Sequence, residues 1–399
     1  MAFWTAAASS YGFMTQILQD KGFGDDQIGV LNAVKLLSTV VFQVIIGSFC
    51  DRYAKKIPLK AVVAVLAAAA AVLTGIFYVG SFSYFETILL FIGMGATFTC
   101  ISPLIDSLAV LYNNHGESIN YAWGRAAGSA AYAVACVGFG VFCDTFGVSR
   151  LLLLQTTFTA VIFAVALWMK KIDTNRPAIN SAEETSAASK QIAEVHSAGY
   201  LLRNYPKFTG FLVGSAVMFM GYNLGTTFLI NVMEELGAGN THYGMAEFVL
   251  AISEVPSAFI ITKYRHKIPM DKLMIGCAFF MTLKNFFAAY SGNVTVIILS
   301  QSCEMLGFGL YYSGSVYLVN EMLPEQDIVK GLSLVNATTV GLGEGVGSLI
   351  CGFLRVHFGL HGLMQISVLV SAVSVVCMAV MCLLATEKQE HKRKNGVIL

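Results

Sequence analysis

Apolar runs of about twenty residues follow one another from end to end of this chain, each long enough to cross ~30 Å of hydrocarbon. Read against the polar residues between them, they predict spans at 2–19, 27–50, 59–80, 85–112, 119–143, 150–169, 208–233, 242–263, 271–290, 294–320, 328–354 and 361–385. That makes twelve. One long polar stretch, Lys170 to Lys207, is rich in Ser, Ala and Glu and divides them six and six. The expected architecture is an all-α membrane protein of twelve transmembrane helices. A six-helix bundle over 1–169, a cytoplasmic linker over 170–207, a second six-helix bundle over 208–385 and a basic cytoplasmic tail over 386–399 follow. Composition agrees, since only 12% of residues are charged, about half the share of a soluble domain.

An even number of spans puts both termini on one side. Lysines and arginines crowd the loops of that side: Arg52, Lys55, Lys56 and Lys60 in one loop, Lys263, Arg265 and Lys267 in another, with Lys392, Arg393 and Lys394 in the tail. The opposite loops carry only Lys21, Arg150 and Arg355. That asymmetry predicts cytoplasmic termini and a multi-pass protein of the cell membrane. The opening stretch "MAFWTAAASSYGFMTQILQD" lacks a basic n-region and continues its helical pattern, so it reads as a first span, not a cleaved signal. Nine cysteines lie in or beside apolar spans without a CxxC pair, which points to packing rather than to zinc or disulfides. A net charge of +1 suggests no nucleic-acid partner. The absence of HExxH and G-x-S-x-G argues against an enzyme. The expected partners are a small-molecule substrate and the lipid bilayer, for a monomer without a cofactor.

Between the second and third spans the chain reads "GSFCDRYAKKIP". Gly47, Asp51, Arg52 and Lys56 match the pattern G-x-x-x-D-[RK]-x-x-x-[RK], and this loop resembles the signature of the major facilitator superfamily. A glycine allows two helices to approach, and an acid there can cap a helix or pair with a base in only one conformation. The equivalent loop after the eighth span, "TKYRHKIPMD", is basic but lacks the glycine and the paired acid. The resemblance covers the whole chain. It implies two pseudo-symmetric six-helix bundles, a midplane site and alternating access.

Asp106 precedes the end of span four by six residues, and Arg125 follows the start of span five by six. At ~1.5 Å per residue both lie roughly 9 Å inside the membrane on antiparallel neighbours, so they can meet. An isolated charge at depth costs at least ~2.5–3.5 kcal/mol, which favours the pair. Pro103 with Asp106, then Tyr121, Arg125 and Gly128 in "YAWGRAAGS", resemble the oligosaccharide:proton symporter (lactose permease-like) family. The resemblance implies that Asp106 and Arg125 bind hydroxyls of the solute and that Tyr132 occupies the place of a ring-stacking aromatic. Asp is shorter than the family's Glu, so the solute itself can differ.

In the second half Glu254, Lys284 and Glu304 come out near mid-membrane depth. Lys284 and Glu304 align with the family's arginine and histidine. Gly307 stands where the family has its proton-carrying glutamate, and Ala251 where it has another acid, with Glu254 one turn further on. Lys35 and Glu344 are two more intramembrane charges, Lys35 either facing a cavity, pairing with an acid or snorkelling outward. At least one of the acids has no base available, and burial disfavours its charged form. Glu304 first and Glu254 second are therefore the expected proton carriers, with Lys284 as the switching cation. Tyr11 and Asn223 are further candidates for the substrate cavity, followed by Gln16, Tyr222, Gln301, Tyr311 and Tyr312. The expected function is proton-coupled symport of a small hydroxylated solute, most plainly a sugar or oligosaccharide. A nucleoside symporter and a drug/proton antiporter are the alternatives. The antiporter reading is disfavoured because "GSAAYAVACVGFG" in span five has glycines but no closing Gly-Pro.

Overall fold

In hydrocarbon every backbone N–H and C=O needs an internal partner, and a helix supplies all of them within one segment. The computed structural model describes residues 1–54, 56–115, 121–170, 196–264 and 267–384, and among these there is helix but no strand. The chain divides into two units, Met1–Ile192 and Ala193–Leu399.

The first unit contains α1 (Ala2–Ala7), a π-helical stretch Ala8–Gly12, α2 (Met14–Asp20), α3 (Asp25–Tyr53), α4 (Leu59–Val79), α5 (Tyr84–Thr97), α6 (Ile101–Asn114), α7 (Tyr121–Phe146) and α8 (Leu151–Trp168). Local signals set several ends. Ser83 Oγ accepts from the Glu86 amide while Glu86 Oε2 accepts from the Ser83 amide, a capping box at the start of α5. Gly147 takes φ 90° at the turn into α8, a conformation that glycine adopts without penalty. The α3–α5 contact is close because Gly95 has no side chain: a methyl there would run into the Lys35 carbonyl and the Ser38 hydroxyl.

The second unit contains α9 (Ala198–Asn204), α10 (Pro206–Thr226), α11 (Leu229–Glu235), α12 (Asn240–Tyr264), α13 (Met270–Tyr290), α14 (Val294–Ser300), α15 (Phe308–Met322), α16 (Ile328–Asn336), a π-helical stretch Ala337–Gly345 and α17 (Val346–Leu383). Gly359, at φ 69°, divides α17 into two limbs. Helix α9 begins inside the polar stretch read as linker. Ser197 caps it by accepting from the Tyr200 amide, and the buried Asp327 holds His196 through both its amide, at 2.9 Å, and its ring, at 2.7 Å. Residues 171–195 of that linker, and the tail beyond 384, lie outside the described residues.

Among the described residues ten helical stretches are long and apolar enough to cross a membrane. The last of them, Glu325–Leu383, is 59 residues and breaks at Gly359, and each limb exceeds the ~20 residues a crossing needs. The N-terminal stretch 2–20 is helical in three pieces. The arrangement is consistent with twelve crossings. Breaks recur in every third one, at 8–12, between α5 and α6, between α10 and α11, and between α14 and α15, and the π-helical stretch Ala337–Gly345 interrupts one more. Interrupted helices leave carbonyls free for side chains, which is tolerated at depth only where protein or water satisfies them.

Candidate functional site

In the first unit the break between α5 and α6 and the first turns of α7 carry the polar side chains inward. Arg125 Nη1 lies 3.6 Å from Asp106 Oδ2, inside ion-pair range but beyond a hydrogen bond. The two side chains are 43% and 39% exposed. The Arg125 guanidinium also sits over the Trp4 ring, 5.1 Å from its centroid. Three residues on, a methyl at Gly128 would overlap that same indole.

Lys35 is only 4% exposed. Its ammonium donates to the Ser10 carbonyl at 2.7 Å and to Ser10 Oγ at 2.8 Å, and it lies 5.3 Å from the Tyr11 ring centroid. The π-helical stretch frees that carbonyl, and so Lys35 is held inside rather than snorkelling, by neutral partners rather than by an acid. Tyr11 is 45% exposed, and its ring meets Phe98 at 6.4 Å. Tyr132 is half-buried against the cluster around Phe3, Phe98 and Leu104. Gln16 is buried, and the Tyr121 side chain lies outside the described residues.

In the second unit a buried ion pair lies beside Tyr222. Lys284 is hydrogen-bonded to Glu304 Oε1, both wholly buried, and its ammonium lies 4.7 Å from the Tyr222 ring centroid. Glu304 Oε2 is buried without a hydrogen-bond partner among the described residues. Glu344 sits in the π-helical stretch between Gly343 and Gly345. Gly343 serves close packing: a methyl there would stand 2.6 Å from Phe219 Cβ. Asn223 points to the same seam, its Oδ1 accepting from Ser348 at 3.1 Å and from Thr227 at 3.2 Å. Tyr311 is buried and donates to Ser215 at 2.7 Å, Gln301 is buried and donates to the Ile297 carbonyl at 3.1 Å, and Tyr312 is exposed. At Gly307, where the resemblance expects a glutamate, Met281 Cγ would stand 3.1 Å from a Cβ.

The loop motif lies at the end of α3. Asp51 and Tyr53 line a cavity of about 270 Å³ with Ile57, Ser107, Leu111 and Asn114. Arg52 and Lys56 are exposed, while Lys55 lies outside the described residues. Among the described residues, a methyl on Gly47 would meet nothing within 4 Å. No cluster of three His, Cys, Asp or Glu suited to a metal occurs among the described residues.

The profile of the MFS_1 like family matches residues 1–366. The chain belongs to that family. A maltose permease of Geobacillus stearothermophilus is 22% identical over 327 residues, which cover 82% of this chain and 78% of that relative. Among solved structures, nucleoside transporter NupG superposes with a TM-score of 0.77 over 96% of both chains at 14% identity. A bacterial homologue of the human lysosomal transporter Spinster, inward-facing and unoccupied, gives 0.70 over 95% of this chain and 94% of that one at 13% identity. This MFS_1 like protein thus has the major facilitator fold and is a multi-pass membrane transporter, not an enzyme. Sequence reasoning missed Trp4 and Ser10, which gave no signal, because an aromatic near a span end and a serine within one are ordinary.

Proposed function

We propose that this transporter moves a small hydroxylated solute, a sugar or oligosaccharide, together with protons across the cell membrane, with both termini in the cytoplasm. The half-open Asp106–Arg125 pair carries the reading. At 3.6 Å its members are too far apart to satisfy each other, so a solute between them gains an acceptor and a donor fork at once. Two neighbouring hydroxyls match that pattern, one donating to Asp106 and the other accepting from Arg125. Identity with a maltose permease supports the sugar reading. A nucleoside offers the same pair on its ribose, and a shared fold alone does not favour it.

Coupling to protons rests on the second unit. Lys284 and Glu304 form a buried pair, Glu304 Oε2 has no hydrogen-bond partner among the described residues, and a buried carboxyl whose cation moves away takes up a proton. Glu304 and Glu254 are the carriers in this reading, with Lys284 as the movable counter-charge. The test is uptake into proteoliposomes of radiolabelled maltose, a monosaccharide, a ribonucleoside and its 2′-deoxy analogue under an imposed proton gradient, with and without an uncoupler. Accumulation of a glycoside that the uncoupler abolishes is the expected result. Accumulation of the deoxynucleoside as readily as the ribonucleoside, or uptake indifferent to the uncoupler, would remove the reading.

A further inference from the structure

The indole of Trp4 joins Arg125 to the broken helix of the fourth crossing. Phe98, in the gap between α5 and α6, stacks on Phe3 at 5.1 Å with the rings 21° apart. Phe3 meets Trp4 edge-on at 5.3 Å and 83°. Trp4 then lies beneath the Arg125 guanidinium. Gly128 stands three residues after Arg125, so it shares a face of α7 with it. Having no side chain, it leaves the indole room to lie against that face. Phe98 also touches the Tyr11 ring. Arg125 is long and flexible, and its pairing with Asp106 is too loose to immobilise it. A guanidinium on an aromatic face is attracted to the ring and restricted by it.

We propose that Trp4 is the positioning residue for Arg125, presenting its N–H fork to the solute, and that Gly128 exists to admit the indole. This rests on the hydroxyl-binding reading of Asp106 and Arg125, but its first test needs no solute. Purified protein is treated with phenylglyoxal, and modification of each arginine is followed by peptide mass spectrometry. Arg355, 4.2 Å from the Phe228 ring centroid in the second unit, is the internal control.

Trp4→Leu is expected to raise the rate of Arg125 modification about fivefold without changing Arg355, and Trp4→Phe to restore it. Gly128→Ala keeps the tryptophan but pushes it away, and is expected to give the same rise; it carries the readout if Trp4→Leu does not stay monodisperse. In transport, with whichever solute accumulates, Trp4→Leu should raise KM roughly tenfold with Vmax within about twofold. An unchanged Arg125 rate in both variants overturns the proposal. So does a raised rate with an unchanged KM. If none of the hydroxylated solutes accumulates, the hydroxyl reading falls, while the modification rates still decide whether Trp4 positions Arg125.

Discussion

Asp106 and Arg125 differ from Lys284 and Glu304 in what surrounds them, and the difference predicts opposite behaviour. The first pair is loose and half open, so its removal leaves little uncompensated charge and its contribution to stability is ~0–1 kcal/mol. Asp106→Asn and Arg125→Ala should therefore leave the melting temperature nearly unchanged. Each should weaken solute binding by roughly tenfold or more, the scale of losing hydrogen bonds to a charged group. Calorimetry and a thermal shift on the same preparations check both halves. Arg125→Lys tests the fork itself, and should recover charge without recovering affinity. The second pair is wholly buried, and breaking one partner strands the other. Lys284→Ala should cost about 3–5 kcal/mol, while Lys284→Met combined with Glu304→Leu should recover most of it. Melting temperatures in detergent decide between these outcomes. Glu304→Gln should abolish gradient-driven accumulation and keep equilibrium exchange in proteoliposomes. Full accumulation by that variant would leave the pair a purely structural one.

Helices meet closely in this protein where glycine allows it, and each glycine can be assigned a consequence. At Gly95 a methyl would strike the Lys35 carbonyl, a backbone atom that cannot swing aside. Gly95→Ala should therefore destabilise by about 1–3 kcal/mol and lower the yield of monodisperse protein. At Gly47 a methyl meets open space, so Gly47→Ala should stay within about 0.5 kcal/mol of the parent. If transport by Gly47→Ala nevertheless slows while its melting temperature holds, the glycine serves a conformation other than this one. The interrupted crossings follow a second rule. The π-helical stretch Ala8–Gly12 hands the Ser10 carbonyl to Lys35, and the stretch Ala337–Gly345 carries Glu344. No periodicity reports such breaks, because a π-helical stretch adds one residue to a turn without altering the apolar character around it.

At the scale of the whole molecule, basic-loop asymmetry predicts that both termini face the cytoplasm. In a background without the native cysteines, Asn204→Cys should react with a membrane-impermeant maleimide only from the cytoplasmic side, and Ser81→Cys only from the opposite side. The reverse pattern would invert the assignment. Asp51 lines a cavity with Ser107, Leu111 and Asn114. Asp51→Asn should slow transport several-fold and leave equilibrium solute affinity unchanged, as measured by uptake rates beside calorimetry.

The sequence by itself determined the helical membrane class and its many apolar crossings, because hydrocarbon thickness and backbone satisfaction act through composition and length. It also placed Asp106 beside Arg125, since depth on antiparallel neighbours follows from counting residues. Tertiary structure decided how tightly charges pair, because that depends on tenths of an ångström and on neighbours remote in the chain. It brought Trp4 beneath Arg125 from 121 positions away, gave Lys35 a serine rather than an acid and turned Asn223 toward Ser348. Side-chain direction around a broken helix is set by packing, and packing is not written in any single segment.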